Sequence, residues 1–192
     1  MVRVALLILM LLTGQHEADS IATDDVKFLK PFDFDVLLSD INEGDLYLIA
    51  EMEGVPYLNI SSTQEPSFPV EGLVMGMNRR YMINLSVRRK NTKHFKNVVF
   101  MIDTGSPYTF LSLTAMKAMI GPGENIPSIM KLEIQGKAPV ICYLSPSDKH
   151  FADVNLLGMD FLEMSRSNLI TDWQKKTFIM HDSNSFRHHK CY

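Results

Sequence analysis

The chain has 192 residues, 46% of them hydrophobic, and a formal net charge of −3. This length suits one domain with extensions. The balance of acids and bases gives no reason to expect nucleic acid or an anionic surface as a partner, and the basic cluster at residues 88–96 is interpreted as a solvated hairpin connection. Two cysteines, Cys142 and Cys191, are weak evidence for a disulfide, and Cys142 is interpreted as a small buried hydrophobic residue.

The N-terminus carries a short apolar segment. Residues 1–3 include one arginine, residues 4–12 are apolar, and polar residues follow. This pattern is typical of a secretory signal peptide, and nine apolar residues are too few for a stable membrane span. We expect residues 1–20 to be such a signal, which would direct the chain to the endomembrane lumen or out of the cell. The alternative is an apolar N-terminal strand or helix of a cytoplasmic protein.

Residues 21–77 form an N-terminal extension of unknown role. Residues 45–50 (DLYLIA) are predicted as a strand, and residues 65–70 read as a linker. Three interpretations stay open: a segment that lays a strand in a cleft of the following domain, an extra layer packed on that domain, or a partly disordered arm. The chain also holds two glycosylation sequons, beginning at Asn59 and Asn84, and the second falls in a predicted strand, where a glycan would fit poorly.

Residues 78–182 are rich in short strands separated by turns, which predicts a small, closed, all-β domain. Residues 81–87 alternate between apolar and polar, as a half-buried strand should. The tail, residues 183–192, is expected to be mobile. The other predicted elements are strands at 98–102, 108–113, 129–134 and 140–144, and helices at 114–119 and 161–167.

The most informative segment is residues 98–106, VVFMIDTGS, in which a buried strand delivers Asp103 into a tight turn. Burying a carboxylate is costly unless it is hydrogen-bonded or shares a proton, so a carboxylate here favours chemistry. The segment resembles the active-site signature of the aspartic peptidases. Residues 154–162, VNLLGMDFL, resemble the second signature of the retropepsin-like branch, and residues 169–179 resemble its closing strand pair. We identify residues 78–182 as similar to this family.

The resemblance implies a small closed acid-protease barrel with one short C-terminal helix, acting as an endopeptidase. The chain has one Asp-Thr-Gly, so a homodimer would bring two Asp103 carboxylates together to share one proton and activate a water. Thr104 would lock the two loops together, Gly105 would leave room for the substrate backbone, and Ser106 would hydrogen-bond the outer oxygen of Asp103. The second signature contributes its own site residues: Leu156, Leu157, Gly158 and Asp160.

The implied partners are a second copy of the chain and an extended peptide or protein substrate, with no metal and no cofactor. An extension in the cleft would then be a pro-segment that silences the site.

Two features depart from the family pattern. Many retroviral members carry an ion pair at the positions of Pro107 and Met159, and both halves are missing here. The family also folds a glycine-rich flap over the substrate, and the candidate here is only a short turn at Gly121, Pro122 and Gly123. A short flap would exclude water and hold substrate less well. The alternative function is therefore a retropepsin-like binding or dimerisation module with weak catalysis or none.

Overall fold

The computed structural model describes residues 40–61 and 64–185, which belong to one compact unit. The predicted signal peptide, the start of the extension and most of the tail lie outside the described residues. Within the described ranges the helices are α1 (Glu43–Met52), α2 (Leu113–Ile120) and α3 (Met159–Ser165). The strands in the same ranges are β1 (Val70–Met75), β2 (Arg80–Arg89), β3 (Lys96–Ile102), β4 (Thr109–Leu111), β5 (Ile129–Ile134), β6 (Val140–Leu144), β7 (Asn155–Leu157), β8 (Asn168–Asp172) and β9 (Thr177–His181).

Six strands close into a barrel. β3 pairs with β7, β7 with β4, β4 with β6, β6 with β5, β5 with β2, and β2 returns to β3. Two of these pairings, β3 with β7 and β4 with β6, are parallel, and the others are antiparallel. The predicted all-β class and small closed barrel are confirmed, and the short helix α3 follows β7.

The remaining strands extend the sheet beyond the barrel. β1 adds to β2, β9 adds to β1, and β8 adds to β9 in a hairpin. Gly72 in β1 is required here, because a Cβ at this position would lie 2.3 Å from the ring of Phe178. Among the described strands, β8 is the edge of this extension.

The barrel core explains why the strand before Asp103 is so apolar. β3 pairs with β2 on one side and β7 on the other, and Val98, Val99 and Phe100 are fully buried. A strand in this position has apolar neighbours on both faces, so it reads as a continuous apolar run rather than an alternating one. β2 keeps the predicted alternation from Ile83 to Val87, with Ile83, Leu85 and Val87 inside, whereas Met82 is also fully buried.

The predicted strand at residues 45–50 is wrong, because this segment is part of helix α1. Asn42 caps the helix, accepting a hydrogen bond from the Gly44 main-chain N–H, while its own N–H donates to Asp45. Leu46, Ile49 and Ala50 recur at helical spacing and are buried. The capping box fixes the start of the helix, and the apolar side chains then pack it onto the barrel near β3.

The chain after α1 also lies against the barrel. The Leu58 N–H donates to the Asn97 carbonyl, and the Asn97 N–H donates to the Asn59 carbonyl at 3.0 Å. Asp40 pairs with Arg80 of β2 at 2.9 Å. Residues 40–61 of the extension are thus an extra layer on the barrel, and the last residues of the extension supply strand β1, which pairs with β2 and β9.

Candidate active site

Asp103 follows the last residue of β3, at the point where the chain leaves the barrel wall. Its main-chain N–H donates to the Leu157 carbonyl of β7, and its carbonyl accepts from the Ser106 N–H at 3.1 Å. The side-chain oxygen Oδ1 accepts a hydrogen bond from the Gly105 N–H at 2.9 Å. A carboxylate that accepts a main-chain hydrogen bond has a defined orientation, so the Asp103 side chain does not rotate freely.

The turn itself is open to solvent in the single chain. Asp103 is half-buried, whereas Thr104 and Gly105 are exposed. A Cβ added at Gly105 would lie 3.2 Å from Oδ1 of Asp103, so any larger side chain would crowd the carboxylate. Within residues 40–61 and 64–185, Asp103 forms no ion pair and lies in no cluster of metal-ligating side chains.

Ser106 does not have the partner that the resemblance implies. Its hydroxyl donates to the Tyr108 carbonyl at 2.7 Å instead of contacting Asp103. The reason is local, since the carbonyl two residues ahead in the same turn lies within reach and needs a donor. The Ser106 hydroxyl therefore stabilises the turn. The Asp103 side chain accepts its hydrogen bond from the Gly105 N–H instead.

Gly158 of the second signature brings the two signature segments into contact. A Cβ at this position would lie 2.3 Å from the carbonyl carbon and oxygen of Tyr108, which is main-chain and cannot move aside. Leu157 is buried and half-buried Leu156 pairs with Phe110 in β4, so both neighbours belong to the barrel wall. Only glycine permits this close approach of α3 to the turn that carries Asp103.

Asp160 links helix α3 to strand β4, which follows the turn that carries Asp103. Its Oδ2 accepts from the Thr109 N–H at 3.1 Å, and its Oδ1 accepts from the Thr109 hydroxyl at 2.7 Å and from the Phe161 N–H at 2.8 Å. The Gly158 N–H in turn donates to the Thr109 hydroxyl. The same two segments are joined, although Pro107 and Met159 themselves contribute only main-chain bonds.

Thr109 is a site residue that the sequence interpretation missed. It is fully buried, and its side chain both donates and accepts within this network. The available signal was weak, because a threonine in an apolar strand is ordinary β-sheet composition. Its role in the site depends on its hydrogen bonds to Asp160, which lies 51 residues later in the chain.

A second buried polar group, Asn155, supports the same end of the barrel. Its Oδ1 accepts from the Ser112 N–H, and its Nδ2 donates to the Val99 carbonyl and to the Tyr57 hydroxyl at 2.7 Å. Burial raises the pKa of Tyr57 to about 12, so this phenol stays protonated. The extension layer is therefore hydrogen-bonded to the strand next to the candidate site.

The flap hairpin suggested for Gly121, Pro122 and Gly123 is not formed. Helix α2 ends at Ile120, Gly121 and Gly123 adopt positive φ angles of 89° and 85°, and residues 121–128 contain no strand. Proline at 122 and 127 removes two N–H donors that a ladder would need. In this segment the structure has a loop leading into β5 where the family carries a flap.

Cys142 is buried in β6 and is a free thiol. Burial, with a smaller contribution from the nearby Asp160 charge, raises its pKa to about 12. The thiol therefore stays protonated and fills space, as the sequence predicts.

The chain was compared with known proteins. No protein-family model and no curated protein matches it. Among solved structures it is similar to the crystal structure of a retropepsin-like aspartic protease from Rickettsia conorii, with a TM-score of 0.36 and 22% sequence identity, over 60% of this chain and 92% of that chain. No helix in the described ranges is long and apolar enough to cross a membrane.

Proposed function

We propose that the chain is an aspartic endopeptidase that acts as a homodimer, with one Asp103 from each copy. The observation that carries the proposal is the Asp103 carboxylate, which leaves the end of a buried strand, is fixed by the Gly105 N–H and faces an open surface. A held and accessible carboxylate without an ion-pair partner is what proton transfer requires. A purely structural aspartate, such as Asp160, has its oxygens occupied by donors of its own chain.

The reaction needs a second carboxylate, and the sequence holds a single Asp-Thr-Gly. A two-fold axis next to residues 103–105 would pair the two Asp103 side chains. Two carboxylates in contact share one proton, so one can accept a proton from water while the other donates to the substrate carbonyl oxygen. Exposed Thr104 and Gly105 supply the surface by which two such turns could meet.

The edge strand β8 supports the same dimer. It is the outermost described strand, and Ile170 on it and Ile179 beside it on β9 are a cross-strand pair of exposed apolar side chains. An uncovered sheet edge with apolar residues tends to pair with another chain. We therefore assign β8 to the dimer contact, together with the turn at residues 103–105.

The decisive experiment is a digest of a peptide library by the wild-type protein and by Asp103→Asn, between about pH 3 and pH 7. We expect the variant to lose cleavage by at least about a hundredfold, because an amide cannot accept and return the proton. Asp153→Asn is the matched control, since Asp153 is an exposed aspartate in the loop before β7. Equal cleavage by wild type and Asp103→Asn would show that Asp103 is not the catalytic group.

A second candidate function is a binding or dimerisation module that does not cleave. The loop at residues 121–128 favours it, because no hairpin there can close over a bound peptide and exclude water. A wild-type dimer that binds extended peptides but leaves them intact over the whole pH range would support this alternative.

A further inference from the structure

We propose that Asn59 is an acceptor for an N-linked glycan on the folded protein and that Asn84 is not. Both residues begin a sequon, Asn59-Ile60-Ser61 and Asn84-Leu85-Ser86. The sequence places the second sequon in a predicted strand, and the structure shows that the surroundings of the two asparagines differ. The inference is independent of the proposed peptidase activity.

Asn59 is exposed and lies in a turn on the protein surface. Its main chain is held in place, with the N–H donating to the Pro56 carbonyl and the carbonyl accepting from Asn97. A fixed main chain with a free side chain allows a bulky glycan to project from the surface without disturbing the fold. Ile60 beside it is also exposed.

Asn84 is in the middle of β2, where it pairs with Val99 of β3. Its Oδ1 is buried and has no hydrogen-bond partner among the described residues, and its side chain is also close enough to Glu53 to influence that carboxyl group. A sugar on this side chain would have to fit between the sheet and the end of helix α1. The folded barrel therefore has no room for a glycan at Asn84.

The surface around Asn59 gives a second, separate argument. An open cleft of about 760 Å³ lies between α1 and the turn, lined by Asn59 with Tyr47, Tyr57 and Leu58 among its neighbours. Tyr47 is 49% exposed and Ile60 is 61% exposed. A glycan attached to Asn59, at the rim of this cleft, would cover these exposed side chains.

The modification is a group transfer performed by a cellular glycosyltransferase. Its donor is an oligosaccharide joined through its anomeric carbon to a lipid diphosphate. The Asn59 Nδ2 forms the new bond to the anomeric carbon, the bond from that carbon to the diphosphate oxygen breaks, and the lipid diphosphate leaves. The amide nitrogen loses one proton to the enzyme, and no oxidation or reduction takes place.

The test is to produce the full chain in a eukaryotic host behind an added cleavable secretion signal, which ensures entry into the lumen. The secreted, folded protein is digested and both sequon peptides are analysed by mass spectrometry, with and without glycosidase treatment. We expect the Asn59 peptide to carry a glycan and the Asn84 peptide to be unmodified. Asn59→Gln and Ser61→Ala should each remove the modification and leave the far-UV circular dichroism spectrum unchanged.

Ser86→Ala, which destroys the second sequon, is the matched control and should leave the glycan content unchanged. An unmodified Asn59 in the secreted, folded protein would overturn the proposal. A glycan on Asn84 of that same folded protein would overturn it as well. Two variants at the first sequon keep the test decisive if either one alone is poorly produced.

Discussion

Asp160 joins two parts of the candidate site that are far apart in the sequence. It accepts hydrogen bonds from the Thr109 N–H and hydroxyl and from the Phe161 N–H, so both its oxygens are used. A carboxylate is better suited than an amide to this position, because all three partners are donors. The residue therefore positions the turn that carries Asp103, although it does not itself face the open surface of that turn.

Asp160→Asn tests this positioning role. Whichever way the new amide is oriented, its NH₂ group faces a donor, which leaves Thr109 or Phe161 without an acceptor in a part-buried site. We expect the free energy of unfolding to fall by about 1–3 kcal/mol, measured by urea denaturation. Glu163→Gln on the same helix is the control, because Glu163 is exposed. An unchanged unfolding midpoint for Asp160→Asn would contradict the role.

Glu53, at the end of α1, makes the stability depend on pH. Burial raises its pKa above the usual value of 4.5, the Asn84 side chain opposes this, and the Glu71 charge adds to it. The folded protein therefore holds the proton more tightly than the unfolded chain. This contribution to stability is fully present below pH 4.5 and is lost as the pH rises through the higher pKa of the folded state.

Glu53→Gln should therefore stabilise the protein near pH 7 and have little effect near pH 4, where Glu53 is already protonated. Glutamine keeps a hydrogen-bonding group next to Asn84 and removes the charge that is unfavourable at a helix C-terminus. Thermal unfolding at the two pH values measures the difference. Glu51→Gln, at an exposed position on the same helix, should show no such pH-dependent gain. A gain of equal size at both pH values would contradict the explanation.

At the scale of the elements, the strands of the barrel could be predicted and the extension could not. The predicted strands at 129–134 and 140–144 coincide with β5 and β6, because each is apolar and bounded by turn residues. Segment 45–50 is equally apolar, but its length does not distinguish a strand from a helix. The decisive signal was the capping box of Asn42 and Asp45, which requires three-residue spacing just before the apolar run.

The sequence proposes several residues of the candidate site but none of the side-chain contacts that join them. Asp103 follows from a local pattern, because the end of an apolar strand leaves a trace in the nearby sequence, whereas Gly105 and Gly158 were identified through the resemblance to two family signatures. The hydrogen bonds between Asp160 and Thr109 join positions 51 residues apart, so the sequence near either residue shows no sign of them. The same holds for Asn155, whose three partners lie on separate parts of the chain. Such contacts depend on how the barrel closes.

At the scale of the whole molecule, the described chain has an accessible carboxylate and an uncovered sheet edge. These two features are explained together if the working protein is a symmetric dimer. In such a dimer a single surface meets its own copy, so each contact residue acts twice. The edge strand β8 then becomes an internal strand of a larger sheet, and exposed Ile170 gains a cross-strand neighbour from the other copy.

Ile170→Lys tests this assembly directly. Ile170 is 48% exposed in the single chain, so the charge should alter the stability of one copy little. In the dimer, each copy would lose the burial of about half an isoleucine side chain, about 1 kcal/mol, which weakens association by at least about tenfold. We expect the sedimentation coefficient at micromolar concentration to change from that of a dimer to that of a monomer, with cleavage lost in parallel.

Ile141→Lys is the control. Ile141 is 41% exposed on β6 in the barrel wall, and this variant should remain dimeric. A wild-type protein that is monomeric but cleaves peptides would contradict the shared site, and a dimeric Ile170→Lys would move the contact away from β8.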